Sequence, residues 1–323
     1  MKDRLWIVVL AVVVPAALVY PHLPDEAGAT LYGAVLLLTI PAVLVSVRGR
    51  GLRPTGPWAL IGAGLLMFVT GDTLLAMYGW TVDTAPFPWF SDIFYLGSYP
   101  LLTVGLGRMA RRRAGVGERE TVIDAAIVTV GAGMLVWVYF IAPAAADTSL
   151  TPLARAVAGA YPVMDLLLVA MVARLLFTSG RLTPAFALLA LSYGALLTAD
   201  VVYQITQLVE LPLLPTLRLT VYCLTYAFGP AALAHPSAVD VIVVRPAGPT
   251  LTRGRLALLA GAALLAPGLL AFQTLTAQRV SGVVIAVGSA TLFLLVVLRM
   301  AGLVSELDAR SAQVEALARR DAL

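Results

Sequence analysis

Residues 281–300 read SGVVIAVGSATLFLLVVLRM, with no charge before Arg299. A run of that length crosses a bilayer as a helix, which takes about 17–25 residues. Helix is the form expected because lipid offers backbone groups no outside partner. Working back along the chain, comparable runs recur at about 5–20, 30–47, 57–78, 91–108, 121–141, 153–174, 183–204, 214–234 and 255–274, which makes ten. The composition agrees: 60% of residues are hydrophobic and 12% charged, whereas a soluble domain is about one quarter charged. The expected fold is an all-α polytopic membrane bundle over 1–300, followed by a cytoplasmic helix over 301–323.

The basic residues orient the spans, because retained cytoplasmic loops carry the excess of Lys and Arg. Nineteen fall on one side, in the groups Lys2 to Arg4, Arg48 to Arg53, Arg108 to Arg119, Arg174 to Arg181, Arg245 to Arg255 and Arg299 to Arg320. Only Arg155, Arg218 and Arg279 fall on the other. Both termini are therefore expected in the cytoplasm of a cell bounded by a bacterial inner membrane. MKDR before the first apolar run also has the shape of a signal peptide, but no small-x-small cleavage site precedes YPHLPDE. With the basic residues confined to short loops, the pI of 9.4 reflects topology, and no nucleic-acid partner is implied.

A three-hairpin repeat is read over about 57–234. YLGSYPLL (95–102), VAGAYPVMDLLL (157–168) and LTYAFGPAAL (224–233) each set an aromatic before Pro or Gly-Pro inside an even-numbered span. The preceding odd spans end in GDTLLAMY (71–78), VWVYF (136–140) and TADVVYQ (198–204), and the middle one has no acid.

Depth can then be assigned to the polar side chains. The outer half collects Asp72, Tyr78, Asp92, Tyr95, Tyr99, Trp137, Tyr139, Arg155, Tyr161, Asp200, Tyr203, Gln204, Arg218, Tyr222 and Tyr226, with Asp165 deeper, while the inner half is nearly all aliphatic. A charge at mid-membrane costs about 2.5–3.5 kcal/mol on insertion scales, so these acids should face the bundle interior. Two arrangements satisfy that. Asp72, Asp165 and Asp200 pair with Arg155 and Arg218 beneath a tyrosine belt, or the same groups line an outward-opening pocket for a small ligand. An ion or proton path is the third. The segment GWTVDTAPFPWFSD (79–92) is read as dipping into the interface or closing over that pocket.

Several chemistries are excluded. Lys2 is the single lysine and lies outside every span, so a retinal Schiff base has no attachment point. His22 and His235 belong to opposite faces, which removes bis-histidine haem and a histidine metal site. Cys223 sits in an apolar run and reads as core packing. No catalytic residue, metal ligand or cofactor is assigned to this chain.

After Arg299 no proline follows, and Met300, Leu303, Leu307, Val314 and Leu317 recur at spacings of three and four, with Arg310 at one seam position. That is a short parallel coiled-coil pattern and implies a homodimer; a single solvated helix is the other reading of three heptads. The ending LARRDAL resembles the junction that opens GGDEF domains, typically D-x-L-T-G-L-x-N-R, with Asp321 and Leu323 at its first and third positions. The resemblance implies a diguanylate cyclase domain beyond Leu323, using GTP and Mg to make cyclic di-GMP, with an EAL domain as a frequent companion. It implies no active site in these 323 residues. A transporter-like protein and a passive dimerising anchor are the competing expectations.

Overall fold

The computed structural model describes residues 4–49, 56–79, 86–113, 118–178, 183–206, 211–242, 253–276 and 281–321. Among them the chain forms ten long helices and no strand. They are α1 (Leu5–Val19), α2 (Asp25–Gly49), α3 (Pro57–Gly79), α4 (Phe90–Arg113), α5 (Glu118–Val136), α6 (Pro152–Phe177), α7 (Pro184–Thr206), α8 (Leu213–Ala234), α9 (Arg253–Leu275) and α10 (Gly282–Asp321). Each expected span falls on one of these helices. Hydroxyls inside the spans turn back on their own helix: Thr39, Ser46, Thr70, Thr73, Thr129 and Thr291 each donate to the carbonyl four residues earlier.

Eight helices are long and apolar enough to cross a membrane, so this is a multi-pass helical bundle. The other two, α4 and α8, are of similar length but more polar, and both lie inside the assembly. Helix α8 packs among α1, α2 and α7, and α4 lies between α3 and α6. Ser98 and Tyr99 of α4 and Thr225 and Tyr226 of α8 are accordingly buried.

The apolar side chains form two main cores. The larger joins α1 to α4 and α6 to α8 around Trp58, Tyr99, Leu102, Leu106 and Leu189. The smaller joins α5, α9 and α10 around Ile127, Met134, Leu269 and Leu292. Helix α6 connects them, turning Leu168 and Leu175 to the first core and Ala173 and Phe177 to Ala125 of α5. Helix α1 belongs to the larger core, with Val9, Val13 and Ala17 buried.

Close backbone approach fixes two of the crossings. A Cβ at Gly105 of α4 would lie 3.0 Å from the Pro57 carbonyl oxygen of α3, and one at Gly131 of α5 would lie 3.0 Å from the Ala262 carbonyl oxygen of α9. Small residues of this kind let helices associate in lipid, where no hydrophobic force drives them together. The prolines of the even spans, Pro100, Pro162 and Pro230, sit inside helices that run on through them. Helix α5 continues past Val136 through a π-helical turn at Trp137–Ile141 into Ala142–Ala146.

The last helix runs unbroken from Gly282 to Asp321, so the final span and the charged stretch after it share one rod. Within the bundle it packs on α5 and α9. The side chains of Leu307, Arg310, Val314, Leu317 and Asp321 lie outside the described residues, as does the segment 80–85 of the aromatic loop.

Candidate functional site

Three aspartates, from α3, α6 and α7, meet the tyrosines of three further helices, α2, α4 and α8, at the end of the bundle away from the basic loops. Asp72 of α3 accepts three hydroxyl hydrogen bonds: from Tyr32 of α2 at 2.7 Å, from Tyr95 of α4 at 2.6 Å and from Tyr226 of α8. Asp200 of α7 accepts from Tyr222 of α8 at 2.6 Å. Tyr99 of α4 lies between Asp165 of α6 at 2.8 Å and Asp200 at 3.4 Å. One hydroxyl proton cannot serve both carboxylates at once, and the Asp165 and Asp200 carboxyl groups also share a hydrogen bond with each other.

A smaller pair lies beside it. Asp92, in the first turn of α4, accepts from the Trp89 backbone N–H at 2.6 Å and from the Tyr161 hydroxyl of α6. Tyr78 stacks on Trp89 with ring centroids 4.3 Å apart. The remaining expected site residues stand outside this network. Trp137 is 47% exposed on the π turn, and Tyr203 is 37% exposed with the Arg218 guanidinium over its ring at 5.2 Å.

Of the arrangements expected for Asp72, Asp165 and Asp200, the pairing with Arg155 and Arg218 is not formed. Among the described residues the ion pairs are Glu118 with Arg174, and Asp124 with Arg255 and Arg299. Axial distance explains the difference. Arg218 precedes Tyr226 by eight residues and Arg155 precedes Asp165 by ten, so they start about 12–15 Å along the helix from the levels of Asp72 and Asp165, while Arg218, one turn before Tyr222, lies over the Tyr203 ring instead of on Asp200. Tyrosine hydroxyls at the right depth take the acids instead, without adding a second buried charge.

The hairpin repeat has a counterpart in these bonds. Within α3/α4 the pair Asp72 and Tyr95 is separated by 23 residues, and within α7/α8 the pair Asp200 and Tyr222 is separated by 22. The same separation counted back from Tyr161 reaches Val138 and Tyr139, in the π turn, where no acid stands. Asp165, one turn beyond Tyr161 on α6, supplies the third carboxylate instead.

The inner half, read as nearly all aliphatic, also holds one buried charged cluster. Asp124 of α5 is fully buried and takes Arg255 of α9 on Oδ2, with Nε at 2.6 Å, and Arg299 of α10 on Oδ1 at 3.0 Å. Arg255 also donates to the Phe177 carbonyl oxygen at the end of α6 at 3.3 Å and lies 4.9 Å over its ring. The pattern was open to inspection: one acid inside the fifth span, and one arginine at the matching depth of the ninth and tenth. Tyr32 was missed as well, although it is a tyrosine in the outer half of its span.

Outside the spans, Asp147 is held below the usual carboxylate range by hydrogen bonds from the Ser149 hydroxyl and backbone N–H. Among the described residues no group of three His, Cys, Asp or Glu is placed to hold a metal ion. Comparison with known proteins returns no matching family model, no matching curated protein and no matching solved structure.

Proposed function

We propose that this chain is the membrane-embedded input module of a signalling protein. A small extracytoplasmic ligand engages the aspartate–tyrosine network, and the change reaches a cytoplasmic GGDEF-type domain through α10 in a homodimer. Output would then be cyclic di-GMP made from GTP. The observation that carries this reading is the single helix from Gly282 to Asp321, which leaves the bundle without a break. A rigid helix of that kind transmits a change of tilt or phase to whatever follows it. The ligand acts through unequal affinity for two packings of the bundle.

The network suits a ligand-responsive role because each carboxylate is held by hydroxyls from other helices, so exchanging those hydroxyls for ligand donors alters helix contacts. Thermal-shift screening of the purified bundle tests it. Ligands that stabilise the wild-type chain are expected to lose their effect on Asp72→Asn and Asp200→Asn, and unchanged responses would make the network structural. Output measured in the whole protein separates a sensor from a passive anchor: the anchor keeps full activity when Asp72, Asp165 and Asp200 are neutralised.

A transport reading draws on the deep Asp165, Tyr99 and Asp200 junction, since transporter sites lie near the midplane. Substrate uptake by reconstituted vesicles, lost in Asp165→Asn, would favour it.

A further inference from the structure

Glu120 and Asp124 stand one turn apart on α5, and both face α10. Asp124 Oδ1 holds Arg299 at 3.0 Å. Glu120 Oε2 is buried with no hydrogen-bond partner, and so are Nη1 and Nη2 of Arg299, a side chain only 5% exposed. The two side chains approach the same point: a Cβ built on Gly302 would lie 3.9 Å from Arg299 Nη1 and 4.0 Å from Glu120 Oε1, the other oxygen of that carboxylate. Glycine at 302 leaves that space open. Buried charges without full partners are costly, and native proteins seldom leave them unpaired without a reason.

We propose that Arg299 is a two-position latch on α5, engaged on Asp124 in this structure and released onto Glu120 in a second state. Release does not strand Asp124, because Arg255 keeps Oδ2. It moves the anchor of α10 four residues along α5, about 6 Å at 1.5 Å per residue. The arginine side chain spans part of that distance, and α10 supplies the rest. The far end of α10 is tied down, since Gln273 of α9 accepts from the Ser281 backbone N–H at 3.1 Å and Met134 of α5 fills the space beside Gly288. Displacement therefore concentrates at the basic end, where α10 leaves the bundle. One-turn ratchets of one element past another are an established form of switching. The latch rests on the input-module reading for its use alone; its two positions involve neither ligand nor output domain.

Spin labels at Val122→Cys and Val304→Cys, both exposed positions at 43% and 54%, in a Cys223→Ala background, report the spacing of α5 and α10 in lipid nanodiscs. Asp124→Asn is expected to add a component displaced by roughly 3–5 Å, part of one turn, and adding Glu120→Gln to it is expected to remove that component. Distances unchanged by Asp124→Asn, or a displaced component that survives in the double variant, would overturn the latch. Should Asp124→Asn not fold, Gly302→Asp places an acid beside Nη1 while leaving Asp124 intact. That acid stands on α10 itself, one turn from Arg299, so it competes with Asp124 without anchoring α10 to Glu120; it is expected to broaden the distribution of α5–α10 distances, and an unaltered distribution there counts equally against the proposal. Because no ligand is present, a negative result leaves the thermal-shift test of the outer network standing.

Discussion

At the scale of single residues, the two buried sets of polar groups obey different energetics. Asp72 is held by three neutral hydroxyls, and hydrogen bonds between helices in lipid average about 0.6 kcal/mol, reaching about 1.7. Tyr32→Phe or Tyr226→Phe is therefore expected to cost less than about 1.7 kcal/mol, whereas Asp72→Ala, which removes the shared acceptor of all three, should cost about 2 kcal/mol. Reversible unfolding in mixed micelles measures both, and equal losses for the acid and for one tyrosine would contradict the shared-acceptor geometry. Asp124 belongs to the other regime. Asp124→Ala leaves two buried guanidinium groups without their carboxylate and is expected to cost about 3–5 kcal/mol, more than any single tyrosine removal.

At the scale of elements, the α3/α4 hairpin couples packing to the network. A Cβ at Gly71 would lie 2.6 Å from Cε1 of Tyr95, the ring whose hydroxyl reaches Asp72. Gly71→Ala must displace that ring, and it is expected to mimic the ligand response of Tyr95→Phe. Gly64→Ala meets Leu102 Cδ2 without touching the network, so it should cost the 1–3 kcal/mol typical of overpacking while preserving ligand response. The contrast, read by thermal shift, fails if both variants alter the response alike. The elements themselves were legible in the sequence because length and apolarity fix a span on their own. Grouping was legible too: Asp72, Asp200, Tyr95, Tyr99 and Tyr222 were read in the outer half with Asp165 deeper, and hydrogen bonds join these side chains. Partner choice was not, since it depends on which face of a helix meets which neighbour, and spans that are apolar nearly all round carry little of that signal. That is why arginines were expected where tyrosines stand, and why Asp124, a lone acid in an apolar run, did not declare its two partners.

At the scale of the whole molecule, charge and burial point the same way. The distribution of Lys and Arg predicts that Ser149, in the turn between α5 and α6, faces the outside and that Arg48, at the end of α2, faces the cytoplasm. In intact cells a membrane-impermeant maleimide is expected to label Ser149→Cys and to spare Arg48→Cys, and the reverse result would invert the orientation. The native Cys223 is fully buried and should stay unlabelled in either case.

Helix α1 reaches its main neighbour, α8, only across most of the sequence, and the Trp58 indole closes on the Ala238 carbonyl 180 residues away. During biogenesis the opening helix must therefore wait in the bilayer, its mating surface uncovered, until the ribosome has delivered the eighth. Protection of that uncovered surface by the insertion machinery is then part of how the protein assembles.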